Sequence, residues 1–163
     1  MNADAFRHLY EYHFAENRVT WEKYIMPLTQ EQFIQRVDYS LGSLRNHIVH
    51  LTEVDNIWFS ELTGLTDPAI PFIEDTDDRT KIRQHWDTVE AMMRDYLAGL
   101  RDEILMAKPI VLEEDKDLSV WQVLLHVVNH GTDHRAQMLR LLHDLGASTV
   151  SQDYIFFAYD HPV

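Results

Sequence analysis

The sequence predicts an all-α protein, and three observations support this prediction. Apolar residues recur at helical spacing over four long segments. Glycine and proline number only five each, and most of them fall between those segments. Runs typical of strands are short and few, at residues 70–73 and 110–112. Four long amphipathic segments favour a four-helix bundle, which we expect to form a single domain over residues 1–163.

The first half of the chain contains two of these long helices. The first is predicted over residues 4–26 and is stopped by a proline, and a short connecting helix is expected to begin at Thr29. The second long helix is predicted from about residue 41 or 43 to residue 62, before Gly64. Residues 65–76 contain two prolines and are interpreted as a loop. This long connection between the second and third helices allows a crossover.

The second half contains the other two long helices. The third is predicted over residues 77–101, and an acidic connection follows at residues 113–117. The last long helix is predicted from about Ser119 to just before Gly146. The tail, residues 151–163, is apolar enough that we expect it to pack on the body of the protein or on a partner chain.

Composition disfavours several classes of function. Lys and Arg total 14 against 27 Asp and Glu, so the formal net charge of −13 repels nucleic acid and anionic lipid. The chain has no cysteine, which excludes disulfides, thiolate metal ligands and cysteine nucleophiles. No uncharged apolar run approaches the roughly 18 residues of a membrane span, and the charged N-terminus does not resemble a signal peptide. We therefore expect a cytoplasmic protein.

The ten histidines are many for this length, and three of them are regularly spaced. His126, His130 and His134 recur every four residues in the last predicted helix. Each step of four advances about 40° around the helix axis, so the three side chains share one narrow face. Unpaired imidazoles on a buried face cost free energy, and histidines four apart can bind one divalent metal ion.

The second helix offers a further ligand, because His50 lies on an otherwise apolar stripe and His47 is displaced from it by about 60°. Three histidines with an open fourth position are typical of a catalytic zinc site. The Glu-x-x-His motif of di-iron bundles and the His-Glu-x-x-His motif of metalloproteases are both absent. The alternative is a plain bundle whose core histidines are hydrogen-bonded to neighbours. The remaining histidines are expected at the surface or rim: His8, His13, His85, His143 and His161.

Three segments resemble motifs of the DinB-like family of four-helix-bundle proteins. The segment HVVNHGTDHRAQ, residues 126–137, resembles the signature of the family's last helix, although Ala136 stands where that pattern usually has glycine. The segment SLRNHIVH, residues 43–50, is similar to its second-helix motif, and residues 151–157 to its closing segment. The resemblance implies a bundle with a long connection between helices two and three, commonly dimeric.

The resemblance also implies a divalent metal ion, typically zinc or nickel, held by His50, His130 and His134. His126 and His47 are then partners of the ligands or alternative ligands. Relatives in the wider superfamily include thiol-dependent S-transferases and metal-dependent hydrolases. The first hypothesis is therefore an enzyme that activates a low-molecular-weight thiol or water against a small-molecule substrate.

The residues that would assist such a reaction cannot be ranked from the sequence. Candidates for proton transfer are His126, Glu53 and Asp133, with Asp55 as a further possibility for orienting an imidazole. The alternative hypothesis is a non-enzymatic, stress-associated metal-binding or interaction protein. It is supported by the lack of a distinct nucleophile or substrate-binding motif in the sequence.

Overall fold

A computed structural model describes residues 1–162, and within this range the protein contains helices and no strands. The prediction of an all-α protein is confirmed. Four helices are long and two are short. Their bounds are α1, Ala3–Val19; α2, Gln30–Ile34; α3, Leu44–Leu62; α4, Arg79–Ala98; α5, Val120–Asp144; and α6, Tyr154–Asp160. None of these helices is long and apolar enough to cross a membrane.

Local signals set most of the helix ends. Ser43 caps α3, its side chain accepting from the backbone N–H of Asn46, and Thr29 forms the expected capping box before α2. Gly64 follows the end of α3 with a φ of 79°, a conformation that favours glycine. The predicted first helix keeps its extent but changes to a π-helix over Thr20–Ile25. The predicted end of the third helix at residue 101 is wrong, because α4 ends at Ala98 with Gly99 as its C-cap.

The four long helices form a bundle in which α1 and α3 each pack against α4 and α5. Two contacts show that α3 and α4 run in the same direction: Glu53 with His85, and Phe59 with Tyr96 farther along both helices. Parallel neighbours require a connection that runs back along the bundle. Residues 63–78 form this crossover, as the long connection predicted.

The crossover is fixed to α3 by hydrogen bonds along its length. The Ser60 hydroxyl accepts from the backbone N–H of Ala69, Asn56 donates to the carbonyl oxygen of Ile70, and Arg45 donates to that of Thr76. These bonds leave the opposite side of α3 free to face α5. The α3–α5 seam holds the histidines.

The core consists of two apolar clusters separated by a buried polar layer. His13, Asn17, Asp55 and Arg135 form this layer, and each is at most 2% exposed. The surface position expected for His13 is therefore wrong. Arg135 donates to Asn17 Oδ1 at 2.7 Å and to His13 Nδ1 at 3.3 Å, which ties α5 to α1.

The tail packs against α1 through the helix α6. The ring of Tyr154 meets Tyr12 edge-on at 5.4 Å, and Phe157 packs on the same tyrosine. The Tyr12 hydroxyl donates to the carbonyl oxygen of Gln152, whose side chain accepts from Arg135. The polar layer of the core therefore also anchors the tail.

Candidate metal centre

Three of the predicted ligands meet in the seam between α3 and α5. These two helices run in opposite directions, since His50 meets His134 and Trp58 meets His126 nearer the start of α5. One ring nitrogen from each of His50, His130 and His134 lies within 4.8 Å of the others. Such a cluster could hold a metal ion. The ring centroids are 4.4–5.2 Å apart.

The closest approach within the cluster is compatible with coordination of one metal ion. The Nε2 atoms of His130 and His50 are 3.2 Å apart. Two nitrogens that bind zinc at 2.0–2.1 Å with tetrahedral geometry are separated by about 3.3–3.4 Å. Both of these Nε2 atoms can therefore reach one zinc ion with little movement of either helix.

The electrostatics favour neutral rings, the form that binds metals. Burial, assisted by the neighbouring imidazoles of His134 and His50, lowers the pKa of His130 to about 4. Burial also lowers the pKa of His50 and of His134, and a second imidazole adds to each effect. A neutral imidazole keeps a lone pair on one nitrogen, which is what a divalent cation requires.

Hydrogen bonding distinguishes these histidines from ordinary core histidines. The Nδ1 atoms of His130 and His134 are buried, and within residues 1–162 neither has a hydrogen-bond partner. In contrast, His47 has partners at both ring nitrogens, and so does His13. Buried polar atoms without partners are uncommon in native proteins. The plain core histidine therefore describes His47 and His13 but not His130 and His134, and the convergence of the three clustered rings fits a metal-binding group.

Two candidates for proton transfer lie beside the cluster. The ring of His126 is exposed, 5.8 Å from that of His130 and 5.2 Å from that of Trp58. The Asp133 carboxylate is also exposed and accepts a hydrogen bond from Gln137 at 3.0 Å. His126 and Asp133 therefore flank the ligands on the solvent side.

Two other acidic candidates make contacts elsewhere. The Oε1 atom of Glu53 accepts from the backbone N–H of Ile73 at 2.8 Å and lies 3.1 Å from His85 Nε2. Asp55 is buried in the polar layer, with Oδ2 at 3.6 Å from His13 Nε2. Burial raises the pKa of Asp55. Glu53 thus supports the crossover, and Asp55 belongs to the contact with α1.

Two residues near the cluster were missed by the sequence analysis as site residues. Gln137 follows the histidines on α5, and its polar side chain interrupts an otherwise apolar end of the stripe, which was a usable signal. Ser40 lies in the loop before α3 and donates to Gln137 Oε1. The spacing of residues along the sequence does not indicate that a loop serine contacts a residue 97 positions away, so the contact of Ser40 with Gln137 could not be predicted.

Comparisons with known proteins identify the family of this chain. The model of the DinB family matches residues 1–161. The chain is also 24% identical to the protein DinB of Bacillus subtilis (strain 168) over 159 residues, which cover 93% of this chain and 92% of that protein. The match extends over all four long helices and the tail, so this chain belongs to the DinB family.

Proposed function

We propose that this protein binds one divalent metal ion through His50, His130 and His134, and that the site activates a thiol or water for reaction with a small molecule. One observation carries the proposal: three imidazoles from two helices converge, with two Nε2 atoms 3.2 Å apart. The lowered pKa values of all three rings support the same reading.

The donor set favours zinc or nickel, because imidazole suits both metals and no thiolate is available. When bound by the three histidines, either ion would act as a Lewis acid that lowers the pKa of a thiol or water held at the site. The chain has no cysteine, so a reacting thiol must come from a separate low-molecular-weight cofactor. The three histidines then position that thiol at the solvent side of the seam.

We assign proton transfer to His126. Its ring is exposed and lies one helical turn from His130, so it can exchange a proton with bulk water and with a group held at the site. Trp58 packs edge-on against it and offers an apolar wall to a substrate. Asp133 is the alternative base. The contacts of Glu53 with Ile73 and His85 make it the weakest of the three candidates.

We also propose that the protein is a homodimer. The helix α6 packs one side on α1, while Ile155, Phe156 and Tyr159 remain 48%, 54% and 71% exposed. Exposed apolar side chains that are grouped on one short helix are typical of an interface. Analytical ultracentrifugation tests this, and a monomer that persists at high protein concentration would contradict it.

Metal content is the first test of the proposed function. The untagged protein, reconstituted with zinc and with nickel, is compared with the variants His50→Ala, His130→Ala and His134→Ala. We expect about one equivalent of metal per chain, lost in all three. His143→Ala is the matched control, since His143 is an exposed histidine on the same helix. Full metal content in the three ligand variants would refute the site.

Turnover then separates an enzyme from a binding protein. The metal-loaded protein is assayed with thiol and electrophile pairs and with activated esters. We expect a metal-dependent rate that is lost in His130→Ala and reduced in His126→Ala, the latter with full metal content. Tight metal binding without turnover of any substrate would favour the non-enzymatic alternative, a stress-associated metal-binding or interaction protein.

A further inference from the structure

The ring of His134 is oriented by packing rather than by hydrogen bonds. Its Nδ1 atom is buried and has no hydrogen-bond partner within residues 1–162. Two rings packed on it, His50 and His130, are proposed ligands themselves and so cannot serve as an independent support. His47 is the third, with its centroid 5.8 Å away and its plane at 64° to that of His134. The position of His47 therefore bears directly on the geometry of the metal centre.

His47 is itself held at both ring nitrogens. It is fully buried, and its Nδ1 lies 2.7 Å from the carbonyl oxygen of Ser43. A carbonyl oxygen only accepts, so Nδ1 carries a hydrogen and donates it to Ser43. This Nε2 lies 3.2 Å from Ser40 Oγ and 3.2 Å from Gln137 Oε1.

Ser40 joins these two groups through its hydroxyl. The hydroxyl donates to Gln137 Oε1 and lies 3.2 Å from Nε2 of His47. Gln137 therefore presents its amide oxygen to Ser40 and His47, while its amide nitrogen donates to Asp133 Oδ2 at 3.0 Å.

The backbone conformation of Ser40 indicates that the surrounding loop holds this residue in a defined position. Its φ is 47°, in the left-handed region that residues other than glycine rarely adopt. The loop closes on itself around it, with the backbone N–H of Val37 donating to the carbonyl oxygen of Gly42 at 2.8 Å. Such conformations persist where the surroundings hold them, and they cluster at functional sites.

We propose that Ser40 is a positioning residue of the metal centre. Its hydroxyl bridges His47 and Gln137, and this bridge holds the ring of His134 in the orientation that binds the metal ion. The bridge joins the loop before α3 to both helices of the seam. This inference rests on the three-histidine site proposed above.

The test measures zinc affinity by competition with a chromogenic chelator in Ser40→Ala and Ser40→Gly. Both variants remove the hydroxyl, but only glycine relaxes the backbone at positive φ. We expect both to bind zinc about tenfold more weakly than the wild type, within the usual range for residues that support metal ligands. Ser151→Ala is the matched control, a loop serine whose hydroxyl contacts only its own turn within residues 1–162.

A second measurement separates positioning from a general loss of stability. The visible spectrum of the cobalt-loaded protein reports ligand geometry, and we expect it to change in both Ser40 variants and not in Ser151→Ala. Wild-type affinity in both Ser40 variants, or a loss in Ser40→Ala alone, would overturn the inference. If the wild type and His130→Ala bind zinc equally, the proposed metal site has failed instead.

Discussion

Gly131 is the position where the smallest substitution should have the largest effect. It lies on α5 between two proposed ligands and faces α1. A Cβ atom at this position would lie 2.4 Å from Cε1 and 2.8 Å from Nδ1 of His13, and 3.1 Å from a guanidinium nitrogen of Arg135. Both neighbours are fully buried, so neither can swing into solvent. Gly131→Ala should therefore destabilise the protein.

The magnitude follows from three contributions. Overpacking of a filled core costs about 2 kcal/mol. Displacing His13 weakens its hydrogen bond with Arg135, which costs about 1 kcal/mol. Alanine in place of glycine within a helix stabilises the folded state by about 1 kcal/mol. We expect a net loss of about 2 kcal/mol in the free energy of unfolding, measured by urea denaturation with circular dichroism.

The effect of Gly131→Ala on the free energy of unfolding should change sign when the ring of His13 is removed. In a His13→Ala background the two closest contacts are absent and only the 3.1 Å approach to Arg135 remains, so Gly131→Ala should stabilise by up to about 1 kcal/mol through helix propensity. Gly99→Ala is the control, because its Cβ would approach nothing closer than 3.6 Å, and the change should stay within about 0.5 kcal/mol. Equal destabilisation in both backgrounds would refute the steric argument.

Two further predictions concern side chains near the seam. Glu53→Gln should weaken the contact between the crossover and α3 and so speed proteolysis within residues 65–76. The zinc affinity of this variant should stay within about twofold of the wild type. A loss of zinc affinity as large as that in His50→Ala would instead place Glu53 in the metal site. In the metal-free protein, the pKa of His130 is lowered from 6.5 to about 4, so the unfolded state binds more protons between these values. The free energy of unfolding should rise with pH over this window and level off above it, and His130→Gln should show a flatter rise. An unchanged slope in that variant would contradict the burial of His130.

Signals carried by adjacent residues allowed the long helices to be predicted. Ser43 and Gly64 bound α3 because a cap and a left-handed turn are local requirements of a helix end. The shift to a π-helix after Val19 and the short helix α6 have no comparable local signal. Both depend on packing, of Trp21 against Trp86 in one case and of Tyr154 against Tyr12 in the other.

The candidate site was predictable only as far as helix periodicity extends. The spacing of His130 and His134 placed both on one face of α5. The position of His50 on an apolar stripe of α3 indicated it as their partner, and the resemblance pointed to the same residue. The burial of His13 was not predictable, since its partner Arg135 is 122 residues away in the chain. Contacts at such separations are fixed by the directions of the helices, which the sequence pattern alone leaves open.

The motif on α5 serves two faces of the helix at once. Each of the two proposed ligands on α5 is followed directly by a residue that faces α1: Gly131 after His130, and Arg135 after His134. Adjacent residues are separated by about 100° around a helix. Because Gly131 and Arg135 are held against α1, the side chains of His130 and His134 are turned towards α3. The ring of His13 packs against Gly131, which has no side chain, and Arg135 bonds to His13 and Asn17. The contacts with α1 therefore fix the rotation of α5 from a face about 100° away from the candidate metal centre. A substitution on α1 that touches none of the three histidines should therefore still alter the zinc affinity of the proposed site, through the rotation of α5.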